Sequence, residues 1–295
     1  MLYRGYRIET DNKKVIVKNV RDFDIVHIFE SGQCFRWIRQ PDNSYTGVAK
    51  DRVVNIKVVN DSVIIDNTSF EEFINVWFDY FDLGTDYSKI KEVLSKDRIL
   101  EEAITFGDGI RLLRQDIWEV IISFIISANN NIPRIAKIIE SISEGFGEKL
   151  VYKEQVYYTF PSISILGRAN ETQIAVCKAG YRNKYIADTS TLILEKAVDL
   201  GKLSERDTAS CRKELLKLPG VGPKVADCIM LFSGMKYDVF PTDVWVRRVM
   251  GELYFNREVS MREIQDFVSE KFGSLAGYAQ QYLFYYARQN RIGMN

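Results

Sequence analysis

A change of hydrophobic period divides this chain. Up to about residue 66 the apolar residues fall in short β-branched runs. These are VIV, then VVNIKVV and SVIID on either side of Asn60-Asp61, the pattern of strands joined by an Asn-Asp turn. Ser69 with Glu72 three residues on makes a capping box for the helix FEEFINVWFDYF. From about residue 86 nearly every segment has helical spacing, as in DIWEVIISFIIS, IPRIAKIIESISEGF and AGYAQQYLFYYARQ. Gly and Pro punctuate these segments, and no low-complexity linker or fixed repeat separates the two textures. The expectation is an α+β part of about 100 residues joined without a tether to a helical part of about 190.

Several chemistries are disfavoured by residue inventory. Cys34, Cys177, Cys211 and Cys228 are scattered with no C-x-x-C pair, which argues against zinc, iron–sulfur clusters and a disulfide framework. His27 is the single histidine, so His-paired nucleophiles and multi-histidine metal sites are nearly excluded. Chemistry must therefore rest on Lys, Asp, Glu, Tyr, Ser or the backbone. No run approaches the length of a membrane span, and the first residues lack the apolar core of a signal peptide, so the cytosol is the default expectation. Net charge is zero, but residues 178–250 hold 13 Lys or Arg against nine Asp or Glu. That excess permits a local basic face; it is also what a solvated surface carries.

One lysine stands out. In LPGVGPKVADC (218–228) a helix ends at Pro219, Gly220 and Gly222 permit a tight turn with positive φ, and Pro223 opens the next helix. Backbone N–H groups beside a helix N-terminus suit a phosphate, so the segment reads either as a clamp on a DNA backbone or as an ordinary helical corner. Lys224 enters the protein with Val225, Ala226 and Cys228, and nineteen residues later comes Asp243 in VFPTDV. An Asp at that place is commonly only a helix cap. An amine and a carboxylate are also the pair needed to displace a base from a sugar. The first attacks the anomeric carbon, and the second stabilises the positive charge that develops there. Placement at the mouth of an apolar helix is expected to favour the neutral, nucleophilic amine.

With these residues the chain resembles the helix–hairpin–helix DNA glycosylases. SGQCFRW (31–37), GIRLLRQD (109–116), SANNNIPR (127–134), AGYRNKY (179–185) and GYAQQYLF (277–284), in order around the hairpin, resemble the 8-oxoguanine branch in particular. The resemblance implies an N-terminal antiparallel sheet domain (1–105) followed by an all-helical glycosylase domain (106–295). It implies excision of 8-oxoguanine opposite cytosine from double-stranded DNA, with base flipping and strand cleavage by β-elimination. It further implies a monomer, free of membrane, working in the cytoplasm at the nucleoid or in a nucleus.

Residue by residue, the resemblance makes Lys224 the Schiff-base nucleophile and Asp243 its carboxylate partner. The carbonyl of Gly32 would meet the lesion, Cys228 and Phe284 would sandwich the base, and Gln280 would read its pairing edge. Asn129 would fill the vacated stack with Tyr181 wedged beside it, and Arg134 and Arg182 would hold the orphaned cytosine. N–H groups around Gly220, Gly222 and Val225 would bind phosphate. The carbonyls of Leu216, Leu218 and Val221 would hold Na, K or Ca. No other cofactor is expected.

Taken singly, each of these residues also has an ordinary structural use: core for Cys228 and Phe284, a cap cluster for Asn129–Asn131, a turn before a strand CFRW for Gly32. Two positions depart from the pattern. Trp245 stands where a histidine contacting phosphate is usual, and Ala287 where an acid orients it. The alternatives are an alkylated-base glycosylase, which needs no hairpin lysine, and a non-catalytic helix–hairpin–helix DNA-binding protein.

Overall fold

The computed structural model describes residues 1–294. Seven strands, β1 (Leu2–Tyr3), β2 (Tyr6–Asp11), β3 (Lys14–Val17), β4 (Trp37–Arg39), β5 (Tyr45–Ala49), β6 (Arg52–Val59) and β7 (Ser62–Asp66), form one sheet in the order β1-β2-β3-β7-β6-β5-β4. Every pairing is antiparallel. Val15 opposes Ile65 and Val17 opposes Val63, which puts their apolar side chains on one face. That face packs on α1 (Ile25–Phe29) and on the capped segment after β7, through Phe29, Phe73, Trp77, Phe78 and Phe81. The capping box of Ser69 and Glu72 forms as expected. The helix it opens runs as α2 (Phe70–Glu72), one π turn (Phe73–Trp77) and α3 (Phe78–Tyr80). One expectation is corrected here: Cys34, Phe35 and Arg36 are not strand. β4 begins at Trp37, because the segment before it is held by the helical half instead of a neighbouring strand.

The second core is helical. Helices α4 (Tyr87–Leu94) and α5 (Arg98–Phe106), N-terminal to the expected boundary at 105/106, contribute Tyr87, Leu94, Leu100 and Ile104 to it. At its centre lies α6 (Ile117–Ser127), in which Trp118 and residues 120–126 are all buried. Next come α7 (Ile132–Phe146), the hairpin β8 (Lys149–Tyr152) and β9 (Gln155–Tyr158), and two short helices, α8 (Ile163–Leu166) and α9 (Glu171–Ala175). The chain then runs through α10 (Arg182–Leu194), α11 (Thr208–Leu215), α12 (Pro223–Phe232), α13 (Val244–Met250), α14 (Met261–Phe272) and α15 (Ala276–Gln289). The β8–β9 hairpin reaches back to the sheet, where Tyr152 packs with Val48 and Val53 and donates to Asp66 at 2.7 Å.

A polar seam fastens the two cores together. Gln33 is fully buried; its amide donates to the carbonyls of Arg111 (2.8 Å) and Ile28 (3.0 Å) and accepts from Leu113 N–H (2.8 Å). Gln115 donates to the Gln33 carbonyl at 2.7 Å, and Gln281 of α15 donates to the Ser31 carbonyl at 3.2 Å. Arg111, 2% exposed, donates to the carbonyls of Asp22, Asp82 and Arg21. Buried polar groups must find partners, and here they find them across the boundary. The motifs SGQCFRW and GIRLLRQD are thus the two sides of one seam, and Gly32 sits on it.

Candidate active site

The hairpin is built as a corner between α11 and α12. Asp207 caps α11 through Ser210 N–H, Thr189 donates to the Pro219 carbonyl at 2.8 Å, and Arg212 of α11 pairs with Asp227 of α12 at 2.7 Å. Gly220 has φ +82°, and a Cβ there would stand 3.0–3.1 Å from Tyr185, so glycine is required twice over. The expectation for Gly222 is corrected. Its φ is −92° and ψ −179°, because it serves as the extended N-cap of α12 and not as a left-handed turn residue. A Cβ on Gly222 would meet nothing within 4 Å. What glycine leaves there is open backbone at a helix N-terminus, with Pro223 in the first turn.

From this corner α12 enters the core, and Lys224, half-buried in its first turn, lies with its Nζ 5.6 Å from the centre of the Phe124 ring. Phe124 is stacked on Phe232 at 5.1 Å, so the lysine stem rests on aromatic surface. One turn on, Cys228 is 2% exposed; burial pushes its thiol up to about 11, with the Lys224 ammonium pulling the other way. Asp243 is the N-cap of α13 and accepts from Val246 N–H at 2.8 Å, so the ordinary capping role is real. It nonetheless faces the same space as Lys224.

That space is a narrow cleft of about 40 Å³ between the two halves, whose walls include Gly32, Phe124, Lys224, Cys228, Asp243, Gln280 and Phe284. At this size it admits a few waters, against the several hundred Å³ of a filled ligand pocket. Gln280, 4% exposed, donates weakly to the Pro241 carbonyl at 3.4 Å, and its Oε1 is buried without a partner. Gly32 has φ +83°, and a Cβ there would meet Phe284 and Arg288 at 3.2 Å and Ile132 at 3.7 Å. Trp245 sets its ring edge-on to Phe284 at 5.2 Å and donates to the Ile292 carbonyl at 3.0 Å; Ala287 is fully buried. The two departures from the family pattern are therefore a packed indole and a core methyl.

A second group lies on the surface beside the cavity. Asn129 is exposed in the turn between α6 and α7, with φ +52°, and Arg134 is exposed in the first turn of α7, capped by Asn131. Tyr181 is 58% exposed, with the Arg182 guanidinium 4.3 Å from its ring centre. Arg182, expected to hold the orphaned cytosine together with Arg134, has its guanidinium engaged by the backbone in this structure. It is 3% exposed and donates to the carbonyls of Ala128 and Asn129, fixing the turn on which Asn129 stands.

The sequence reading missed Phe124, Gln281 and Arg288. Phe124 is hidden in an apolar run. Arg288 had a signal, four residues after Phe284 on one helix face. Among the described residues no group of three or more His, Cys, Asp or Glu side chains is placed to hold a metal, and no helix is long and apolar enough to cross a membrane.

Comparison with known proteins covers both halves. Residues 15–121 match the model of the 8-oxoguanine DNA glycosylase N-terminal domain, and residues 122–273 match that of the HhH-GPD superfamily base excision DNA repair protein. A probable N-glycosylase/DNA lyase of Methanothermobacter thermautotrophicus is 34% identical over 232 residues, 72% of this chain and 74% of that protein. A solved structure of MBOgg1 in complex with a low-affinity DNA ligand has a TM-score of 0.95 and 52% identity, covering 97% of this chain and 99% of that one. The Clostridium acetobutylicum 8-oxoguanine glycosylase/lyase, in complex with dsDNA containing cytosine opposite 8-oxoG, has a TM-score of 0.95 and 50% identity over the same shares.

Proposed function

Since the chain belongs to the 8-oxoguanine DNA glycosylase family of helix–hairpin–helix base excision repair proteins, we propose that Lys224 carries out both of its reactions, base excision and strand cleavage, on duplex DNA containing 8-oxoguanine opposite cytosine. The observation that carries the assignment is the convergence on one cavity of a half-buried amine, a carboxylate, a neutral thiol, an aromatic ring and an unpartnered amide oxygen.

The Lys224 amine attacks C1′ of the flipped nucleotide, and the C1′–N9 bond breaks with its electrons leaving on the base, which takes up the proton that the attacking nitrogen sheds. Asp243 stabilises the positive charge that develops at C1′, a contribution made mainly in the transition state. The sugar ring then opens: the C1′–O4′ bond breaks, the remaining N–H proton passes to O4′, and a Schiff base is left on Lys224. Loss of the C2′ proton expels the 3′ phosphate, which cleaves the strand.

Recognition rests on the same walls. Oxidation turns guanine N7 from an acceptor into an N–H donor, which the Gly32 carbonyl accepts; unmodified guanine sets two lone pairs against each other there. Cys228 and Phe284 take the two faces of the base, the thiol as a neutral group because burial keeps its proton on. The free Oε1 of Gln280 accepts from the N–H groups of the purine pairing edge. Because the cavity is small, Phe284 must move as the base enters.

Asn129 occupies the gap left by the base with Tyr181 beside it, and Arg134 holds the unpaired cytosine, with Arg182 acting on that strand through the turn it fixes. The N–H groups of Gly220, Gly222 and Val225 bind phosphate. The carbonyls of Leu216, Leu218 and Val221 are neutral, hard oxygens that suit Na⁺, K⁺ or Ca²⁺; that of Leu218 accepts from Val221 N–H at 3.0 Å and keeps a second lone pair. A cation there would stiffen the hairpin.

The test is borohydride trapping on 8-oxoguanine duplexes. A covalent adduct with the wild type and none with Lys224→Gln is expected, while trapping by the variant would assign the nucleophile elsewhere.

A further inference from the structure

Arg288 stands one turn after Phe284 on α15, and its guanidinium is arranged differently from the others in the interior. Arg111 and Arg182 give their N–H groups to backbone carbonyls, while Arg36, Arg114 and Arg212 each face a carboxylate within 4 Å. Arg288 donates through Nη2 to the Glu30 carbonyl and its Nη1 is buried with no partner; N–H groups of Arg36 and Arg114 are also buried unpartnered, but a carboxylate balances their charge, whereas Arg288 forms no ion pair among the described residues. The nearby Glu30 carboxylate is engaged by the Tyr45 hydroxyl. A desolvated cation with an unused donor is costly unless something arrives to meet it.

Position shows what arrives. Nη1 lies 3.2 Å from where a Cβ on Gly32 would stand, and the guanidinium carbon is 5.7 Å from the centre of the Phe284 ring. Gly32 and Phe284 are walls of the lesion cavity, whereas Arg288 is not. With a base filling that cavity, a cation just outside its walls is left to meet the sugar and phosphate of the same nucleotide.

We propose that Arg288 is a positioning residue whose Nη1 donates to a non-bridging oxygen of a backbone phosphate flanking the flipped nucleotide. The proposal rests on the assignment of this cavity to the lesion base. A guanidinium suits the task, since its charge and planar donors match phosphate and it is more weakly hydrated than an ammonium. The contact forms as Phe284 moves, so base entry and backbone grip are coupled through one helix turn.

The test uses the full-length protein and a non-cleavable duplex carrying a tetrahydrofuran abasic analogue opposite cytosine, with binding measured from low to high salt. Arg288→Met, which keeps the stem over Phe284, is expected to weaken binding about 10-fold. It should also flatten the slope of log K against log salt by about 0.9, the signature of one lost phosphate contact. Arg288→Lys should restore the slope. A single methylphosphonate beside the analogue, scanned over the flanking positions, should weaken the wild type about 10-fold more than Arg288→Met at one position and both proteins equally at the others. Parallel salt slopes with equal methylphosphonate losses in both proteins would make Arg288 a packing residue and overturn the proposal. So would a change confined to the 8-oxoguanine-to-guanine excision ratio, which would make it a base contact. Failure of the wild type to excise 8-oxoguanine, with the methylphosphonate coupling intact, would remove the lesion assignment and leave the phosphate contact standing.

Discussion

Two cavities lie where the halves of this molecule meet, and they differ in opposite directions. The larger, about 800 Å³, is bordered by Lys50, Asp51, Arg52, Asp116, Glu119 and Phe160 and carries charges of both signs. The smaller, about 40 Å³, holds Lys224, Asp243, Cys228, Gln280, Phe284 and Gly32. Volume would choose the first as the site; the chemistry proposed above chooses the second. A catalytic site needs few groups that converge, and in the free protein those groups can close on one another until a base displaces them. The larger cavity has its own perturbed acid, Glu119, whose carboxyl burial pushes up to about 7 against the pull of Arg36 at 3.7 Å. A shifted carboxylate is therefore no proof of catalysis; here it is a consequence of burial at a domain junction.

The comparison is most exposed to Lys224→Gln. Excision and borohydride trapping should both vanish, a loss limited only by assay background, while DNA binding remains. Glu119→Gln in the larger cavity should leave single-turnover excision unchanged, and a large drop there would reverse the assignment of the two cavities.

Asp243→Asn is expected to lower single-turnover excision by about 10²–10³-fold with binding changed far less, as for a charge matched to the transition state. Asn still caps α13, so the melting temperature should hold, and an equal fall in stability would mean that Asp243 is only a cap.

An 8-oxoguanine analogue with C–H in place of N7–H should be excised about 10–100-fold less well, because the Gly32 carbonyl then faces no donor. Equal handling of analogue and lesion would reduce Gly32 to a turn residue.

Replacing Arg134 by Ala should narrow the preference for cytosine over adenine opposite the lesion by about 10-fold, the value of one charged hydrogen bond. An unchanged ratio would remove Arg134 from that role.

The smallest effect belongs to the larger cavity and concerns stability alone. Because the Glu119 carboxyl titrates near 7 in the folded protein against an ordinary 4.5, the folded state keeps a proton that the unfolded chain has lost between those values. Stability should therefore fall as pH rises through that window, by on the order of 1–3 kcal/mol, and level off above it. Thermal melts at pH 5 and pH 8 should separate for the wild type more than for Glu119→Gln, and identical separations would place the titration elsewhere.

Legibility in the sequence followed the range of the interaction. The Asn60-Asp61 hairpin, the Ser69 capping box and the Lys224 corner were readable because they depend on residues within one turn of each other. Gly220 was readable as a left-handed turn; Gly222 was misread, since a glycine between two helices can serve as an extended cap as well as a turn. The buried Arg182 fork and the Phe124 platform beneath Lys224 depend on segments tens of residues away in the chain, for which period and spacing carry no signal. Motif order supplied what periodicity could not, namely that Gly32 and Lys224 share a cavity.

The Gln33 seam has a consequence for error. In the proposed assignment the group that reads oxidation is a carbonyl next to Gln33 and the group that cuts is a lysine on α12, so reader and cutter stand on opposite sides of the seam. A substitution that loosens the seam without unfolding either core leaves the amine and its carboxylate intact, because both stand on the helical side. What drifts is the distance between the carbonyl and N7, and with it the penalty against the normal base. On that assignment, damage to the seam between the halves would show first as lost fidelity, with undamaged guanine removed from DNA by an enzyme whose turnover still measures as healthy.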